Sequence, residues 1–169
     1  IAIIKQNILG IKIEREKGEK AYEKNYEETK KHYDTDFSYN TYPCSIPLDF
    51  SGVPVHWHEE MEIISIKKGR GNVVVDRVVY EVEEGDVMAV FPGQLHAIYG
   101  FEDQRMDYEN IIFSLSLLMG AEGDLCTERF LLPLAREQVR EPLFKRRGME
   151  GYEAFAGCIQ ALDCVSEER

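Results

Sequence analysis

Hydrophobic and polar residues alternate in short runs through the middle of the chain. "EIISI" (62–66), "NVVVD" (72–76), "VVYEV" (78–82), "DVMAVF" (86–91) and "HAIYGF" (96–101) each put apolar side chains on one face of an extended segment. "NIIFSLS" (110–116) continues the series, with Ile112 and Ser114 expected to face away from Ile111, Phe113 and Leu115. Turn residues separate the runs at Lys68-Gly69, Asp76-Arg77, Glu84-Gly85 and Pro92-Gly93. Short strands at near-regular intervals with glycine-bearing turns predict a mainly β sandwich or barrel over residues 36–116.

The flanks read differently. Residues 1–35, with "EREKGEKAYEKNYEETKKHY", mix both charge signs and predict a solvated helix or arm on which His32 is a surface residue. From 117 the period changes: "SLLMG" and "GDLCTERFLLPLA" look helical, with a bend at Pro133. The segment "MEGYEAFAGCIQALDCVSEER" aligns Tyr152, Phe155, Ala156, Ile159, Leu162 and Val165 in one stripe. That stripe must be buried against the barrel or against a partner subunit, and a homodimer contact through Tyr152, Phe155, Ile159 and Leu162 is expected. Residues 117–169 are accordingly assigned as a helical dimerisation and linker segment, and Lys145 to Arg147 as a solvated turn within it. The last helix stops without a C-cap glycine, so the natural chain is expected to continue past Arg169.

Charge narrows the partners. The net charge is −11, and the one dense basic cluster, Lys145 to Arg147, has acidic neighbours. A nucleic-acid-binding module needs a basic face to neutralise phosphates, so this polypeptide is not expected to bind nucleic acid by itself. The N-terminal "IAII" is cut short by Lys5, Gln6 and Asn7, which argues against a membrane span or a secretion signal. Cys44, Cys126, Cys158 and Cys164 form no CxxC pair and predict free thiols in a reducing cytoplasm.

The candidate chemistry sits in "VPVHWHEEMEI" (53–63). In a strand, residues two apart point the same way, so His56 and His58 can both aim into a barrel while Trp57 turns outward as a core or interface anchor. After a bend at Glu59-Glu60, Glu62, Ile64 and Ile66 share the next inward face. A buried Glu62 costs desolvation unless it is paired, protonated or bound to a cation, and His96 supplies a further group from a later hairpin. Three imidazoles and a carboxylate suit one divalent transition metal: Zn, Ni, Mn, Fe or Cu. Alternatively, the four groups form the hydrogen-bonded polar lining of a ligand pocket, with Ile64 and Ile98 as its apolar contacts. Tyr39, Tyr42, Tyr99 and Phe113 are candidates to line a cavity, although strand aromatics pack by default.

The spacing also carries a resemblance. His56-x-His58-x3-Glu62-x6-Gly69, followed by Gly85, Gly93 and His96, resembles the two motifs of the cupin superfamily. The match departs in the second motif, with proline at 92 one place late and Gly100 where the family has asparagine. The phrases "HWHEEMEI" and "VFPGQLH", with "ENIIFSLSLL" and "ERFLLPL" behind them, are similar to the N-terminal effector-binding domain of AraC-type transcriptional regulators. The resemblance implies a cupin double-stranded β-helix (jelly-roll) barrel with C-terminal helices. It also implies a small polar effector such as a sugar, a homodimer, and DNA contact through a helix-turn-helix domain absent from this chain. A metal-dependent cupin enzyme, an isomerase or dioxygenase, is the competing reading; no further acid–base group beyond the four declares itself for it.

Overall fold

The computed structural model describes residues 26–32, 38–136, 139 and 141–167, with side chains as far as Ala161. Seven strands follow in order: β1 (Tyr39–Ile46), β2 (Gly52–His56), β3 (Met61–Val75), β4 (Val78–Glu83), β5 (Val87–Val90), β6 (His96–Gly100) and β7 (Met106–Phe113). A 3₁₀ turn (Leu115–Leu118) and a π-helical turn (Thr127–Leu131) lead into the short helix α1 (Leu132–Ala135). The chain then returns as β8 (Leu143–Lys145) before α2 (Tyr152–Glu167). One layer runs β1-β7-β3-β5-β8; in the other, β6 pairs with β2 and β3, and β4 pairs with β3. All pairings among these eight strands are antiparallel.

The long strand β3 joins the layers. Its first half pairs with β5 and β7, and its second half pairs with β4 and β6. Sequence reading places a turn at Lys68-Gly69; the structure instead keeps "EIISI" and "NVVVD" in one strand. A register shift between Ile66 and Lys68 and a left-handed Gly69 (φ 81°) bend it, while Lys68 and Gly69 still pair with Asp107 and Met106. This is a β-bulge that re-aims a strand without ending it. The other turns fall where expected. Asp76 and Arg77 both take positive φ (45° and 74°), as a two-residue hairpin between β3 and β4 requires.

Alternation sorts the side chains into two clusters. Ile64 and Ile66 on β3, Met88 and Val90 on β5, and Met106 and Tyr108 on β7 meet Val73, Val75, Val82 and Ile98 between the layers. Their odd-numbered or even-numbered neighbours Met61, Ile63, Val87, Ala89, Ile111 and Phe113 form a second cluster on the other face, with Leu115, Tyr152 and Ile159. Ile111, Phe113 and Leu115 thus share a face, as the pattern predicts. Tyr39 and Phe113 pack here too.

The tail takes the first of the two arrangements that the stripe allows. Helix α2 lays its stripe on this chain's own barrel: Tyr152 and Ile159 are buried, Phe155 and Ala156 are partly buried beside them, and the Tyr152 hydroxyl donates to Gly85 O at 2.8 Å. Of the side chains expected at a dimer contact, Tyr152 and Ile159 are thus covered within the chain and Phe155 is partly so; the side chains of Leu162 and Val165 lie outside the described residues. Lys145 to Arg147 is not a free turn. Lys145 closes β8, and Arg146 reaches the buried carboxylate of Asp86 at 2.6 Å, because a buried charge needs a paired one.

The bulge makes a prediction. A Cβ at Gly69 would collide with the Arg105 carbonyl oxygen, whereas Gly148, also left-handed (φ 86°), has nothing within 4 Å of a Cβ. Gly148→Ala should therefore cost about 1–2 kcal/mol, the backbone strain alone, and Gly69→Ala about 4 kcal/mol or more. Urea denaturation of both variants measures the difference; equal losses would mean that β3 does not depend on this bend.

Candidate metal and effector site

Four side chains converge at one end of the space between the layers. His56 ends β2 and stands opposite His96, the first residue of β6, whose other neighbour is Val75 on β3. Glu62, one residue into β3, lies between Val90 on β5 and Ile112 on β7. His58 comes from the connection between β2 and β3. One ligand-type atom from each of the four lies within 4.8 Å of all the others, and among the described residues this is the group so arranged. His58, Glu62 and His96 are buried, and His56 is half-buried.

The hydrogen bonds orient the rings. His56 Nδ1 lies 2.9 Å from Pro54 O and His96 Nδ1 lies 2.9 Å from Gln94 O, each a backbone carbonyl two residues earlier. An Nδ1–H donating to that carbonyl leaves Nε2 facing the centre, the arrangement by which second-shell partners set metal-binding histidines. Glu62 Oε2 is shared, 3.0 Å from His58 Nε2 and 2.9 Å from His96 Nε2. Its other oxygen, Oε1, is buried with no hydrogen-bond partner.

Electrostatics follow from this packing. Burial opposes the Glu62 charge, but the His96 and His58 imidazoles outweigh it and hold the carboxyl well below the usual range. Burial likewise opposes protonation of His96, and is outweighed by Glu62 and the Gln94 carbonyl, so its basicity rises. Burial and the neighbouring His96 push His56 the other way, toward the neutral ring. The protein thus holds a carboxylate, one ring favoured as imidazolium and one favoured neutral. A divalent cation would replace the shared protons with its own charge, satisfy Glu62 Oε1 and use the Nε2 lone pairs. These residues can therefore hold one borderline divalent metal ion.

Segment 26–32 closes one side of this site. Sequence reading makes His32 a surface residue on a solvated arm, but it is 5% exposed. Trp57 N donates to Tyr26 O and Glu28 N to Trp57 O, both at 2.9 Å, so the segment adds a short parallel bridge beside β2. The His32 carbonyl accepts from the Asn40 amide at 2.8 Å and the Tyr42 hydroxyl at 3.2 Å. Its ring packs on those of Tyr42 and His58, with centroids 5.8 and 5.6 Å away. Trp57, expected as a core anchor, is half-buried and contributes its backbone to this docking. Residues 1–25 and 33–35 of the expected arm lie outside the described residues.

Ile64 and Ile98, expected against a ligand, are 1% and 0% exposed in the closed apolar cluster. Two residues that sequence reasoning passed over share their interior: Asn110, whose Oδ1 is buried without a hydrogen-bond partner like Glu62 Oε1, and Tyr108, whose hydroxyl meets the Cys44 thiol. Asn110 stands opposite Ile64, and Tyr108 opposite Ile66. Extending the parity of Ile112 back along "MDYENII" is the signal that finds them. Two open cavities lie elsewhere. One, about 340 Å³, carries Lys67 paired to Glu109 at 2.8 Å and Arg105 paired to Asp107 at 2.7 Å. The other, about 320 Å³, lies beside α2. Neither is lined by any of the four converging residues. We place the site at the four, where polar atoms are buried and unsatisfied, because the charges in the first cavity already satisfy one another.

A family model for the AraC-like ligand binding domain matches residues 49–162, more than half of the chain. The chain belongs to that family. A curated relative, the uncharacterized HTH-type transcriptional regulator YdeC of Bacillus subtilis, is 29% identical over 75 residues. That match covers 44% of this chain and 26% of the relative, so the chain spans about a quarter of that protein's length. Among solved structures, a cupin protein from Bacteroides fragilis is 26% identical with a TM-score of 0.45, over 49% of this chain and 71% of its own. ToxT from Vibrio cholerae is 12% identical with a TM-score of 0.45, over 72% of this chain and 47% of its own. As an AraC-like ligand-binding domain, the chain has the cupin jelly roll that its motifs announce, with the motif residues His56, His58, Glu62 and His96 brought together. No helix among the described residues is long and apolar enough to cross a membrane.

Proposed function

We propose that this AraC-like domain is the small-molecule-sensing and dimerisation module of a cytoplasmic transcriptional regulator. Its effector binds between the layers at His56, His58, Glu62 and His96, and DNA is contacted by a separate helix-turn-helix domain of the full-length protein. The observation that supports this most is the pair of buried, unpartnered polar atoms, Glu62 Oε1 and Asn110 Oδ1, inside a barrel of this family. Leaving such atoms unpaired costs about 1–3 kcal/mol each, which a small polar effector, a sugar among them, recovers on binding. A sensing role rather than catalysis agrees with the family and with the regulator YdeC.

The effector test is thermal denaturation against a panel of small polar metabolites. A true effector at a hundred times its Kd stabilises the chain by about 2.7 kcal/mol, and Asn110→Ala should need roughly tenfold more of it. An effector that stabilises both proteins alike would remove Asn110 and its neighbours from the pocket.

The site also holds one divalent metal, Zn, Ni, Mn, Fe or Cu, in this proposal. Elemental analysis should find close to one equivalent in the purified chain and a marked loss in His58→Ala; equal contents would sink the metal site.

The homodimer forms through the helical segment. With Tyr152 and Ile159 turned to the barrel, the available apolar side chains there include Leu125 (75% exposed) and Phe130 (59%). Phe130→Glu should shift sedimentation from dimer to monomer while leaving the melting temperature within a few degrees. An unshifted dimer would exclude this face. Cutting the chain after residue 135 is a poorer test, since it also strips Tyr152 and Ile159 from the outer cluster.

A further inference from the structure

The backbone carbonyl that orients His96 is itself held from several sides. Gln94 O lies 2.9 Å from His96 Nδ1. In a trans peptide the carbonyl and the N–H that follows it point in opposite directions, so whatever takes the Leu95 N–H also aims the Gln94 carbonyl. Asp76, in the turn between β3 and β4, takes it. Leu95 N donates to Asp76 Oδ1 at 3.3 Å, and Asp76 N donates to Leu95 O at 2.8 Å.

The Gln94 side chain closes the arrangement. Its Oε1 accepts from Phe91 N at 2.8 Å while its own backbone N donates to Phe91 O at 3.1 Å, so the two residues are bonded in both directions. Its Nε2 donates at 3.4 Å to Asp76 Oδ2, the carboxylate oxygen that Leu95 does not use. Gln94 is 5% exposed, and an amide buried that far needs partners at both ends. Asp76 takes a left-handed backbone (φ 45°) in which Asn would serve the turn as well, but Asn has one acceptor oxygen and two donors reach this side chain. The same loop touches a second member of the centre, since Gly93 N donates to His58 O at 2.9 Å.

We infer that Gln94 and Asp76 are positioning residues of the centre. Neither is one of the four converging side chains; together they fix the peptide between Gln94 and Leu95, so that the His96 ring spends its Nδ1–H on the Gln94 carbonyl and turns Nε2 to Glu62. This rests on the reading above that the four residues bind as one site, and it names what holds that site in shape before anything is bound. The β3–β4 turn, which strand pairing alone does not oblige to carry a carboxylate, thereby becomes part of the site.

Nuclear magnetic resonance of the metal-free chain tests this, because a buried ring N–H held by a carbonyl exchanges slowly with solvent. Gln94→Met keeps the length of the side chain and loses both of its hydrogen bonds. In that variant the His96 Nδ1–H should exchange at least about tenfold faster than in wild type. Asp76→Asn alone, with one acceptor for two donors, should fall between the two. Combining Asp76→Asn with Gln94→Glu exchanges one donor with its acceptor and restores every bond, so the double variant should return to the wild-type rate. Gly148→Ala, which strains the left-handed turn before α2, should lower the melting temperature without moving this proton. Co²⁺ affinity should follow the same order, about tenfold weaker in Gln94→Met and recovered in the double variant. A His96 proton that exchanges no faster in Gln94→Met than in Gly148→Ala overturns the inference, as does a double variant that fails to recover. A wild-type chain that takes up no Co²⁺ sinks the metal proposal alone, and the ring proton still decides this one.

Discussion

One strand belongs to both layers, and the rest of the molecule is arranged around it. Strand β3 forms hydrogen-bonded ladders with β5 and β7 along its first half and with β4 and β6 along its second. A strand can do this only if it turns sharply without losing its pairing. The bulge after Ile66 and the left-handed Gly69 supply that turn, at a position where the Arg105 carbonyl leaves room for no side chain. Because side chains alternate, the bulge also sets which residues of the second half look inward. Val73 and Val75 thereby join Ile64 and Ile66 in one cluster, and Glu62 is left at the end of the same inward row.

Burying Glu62 is the expensive consequence. An isolated carboxylate in such a place costs several kcal/mol even after relaxation. The chain offsets this by bringing His58 and His96 onto one of its oxygens, and by fixing His56 and His96 through the backbone carbonyls of Pro54 and Gln94. The compensation is partial, since Oε1 has no partner. A purely structural carboxylate would be cheaper to replace with an apolar residue, because well-packed isosteres of buried ion pairs are often neutral or stabilising. An under-satisfied polar cluster inside an otherwise apolar barrel therefore supports the binding site proposed above.

Much of this was legible in the sequence, and the parts that were not have physical reasons. Period-2 alternation located strands from Glu62 onward, and the His56-x-His58-x3-Glu62 spacing with His96 named the four converging residues. Position alone could not show that Lys68-Gly69 bends a strand rather than ends it, because glycine serves turns and bulges alike. The docking of residues 26–32 was hidden for a related reason: a charged segment reads as solvated unless its partners are known, and those of Glu28 and His32 lie on β1 and around His56 to His58. Strand β8 escaped notice because "LFK" is too short to show a period, and Arg146 because its partner Asp86 is sixty residues away.

The position of the site explains why a helical segment belongs to this domain at all. Glu62 pairs with Val90 at one end of β5, and Val87 at the other end pairs with Lys145 of β8. Immediately before β5, Gly85 accepts the Tyr152 hydroxyl of α2, and Asp86 holds Arg146. Strand β5 is only four residues long, so a cluster at its end and a helix docked at its start are separated by about 13 Å of hydrogen-bonded backbone. A short, doubly paired strand is stiff along its axis. In the sensing role proposed above, a change at Glu62 would have this single element through which to reach the seat of α2, with Met88 in the inner cluster and Ala89 in the outer one packing it on both faces. That role thus has one strand between the partner of the buried carboxylate and the residues that seat α2.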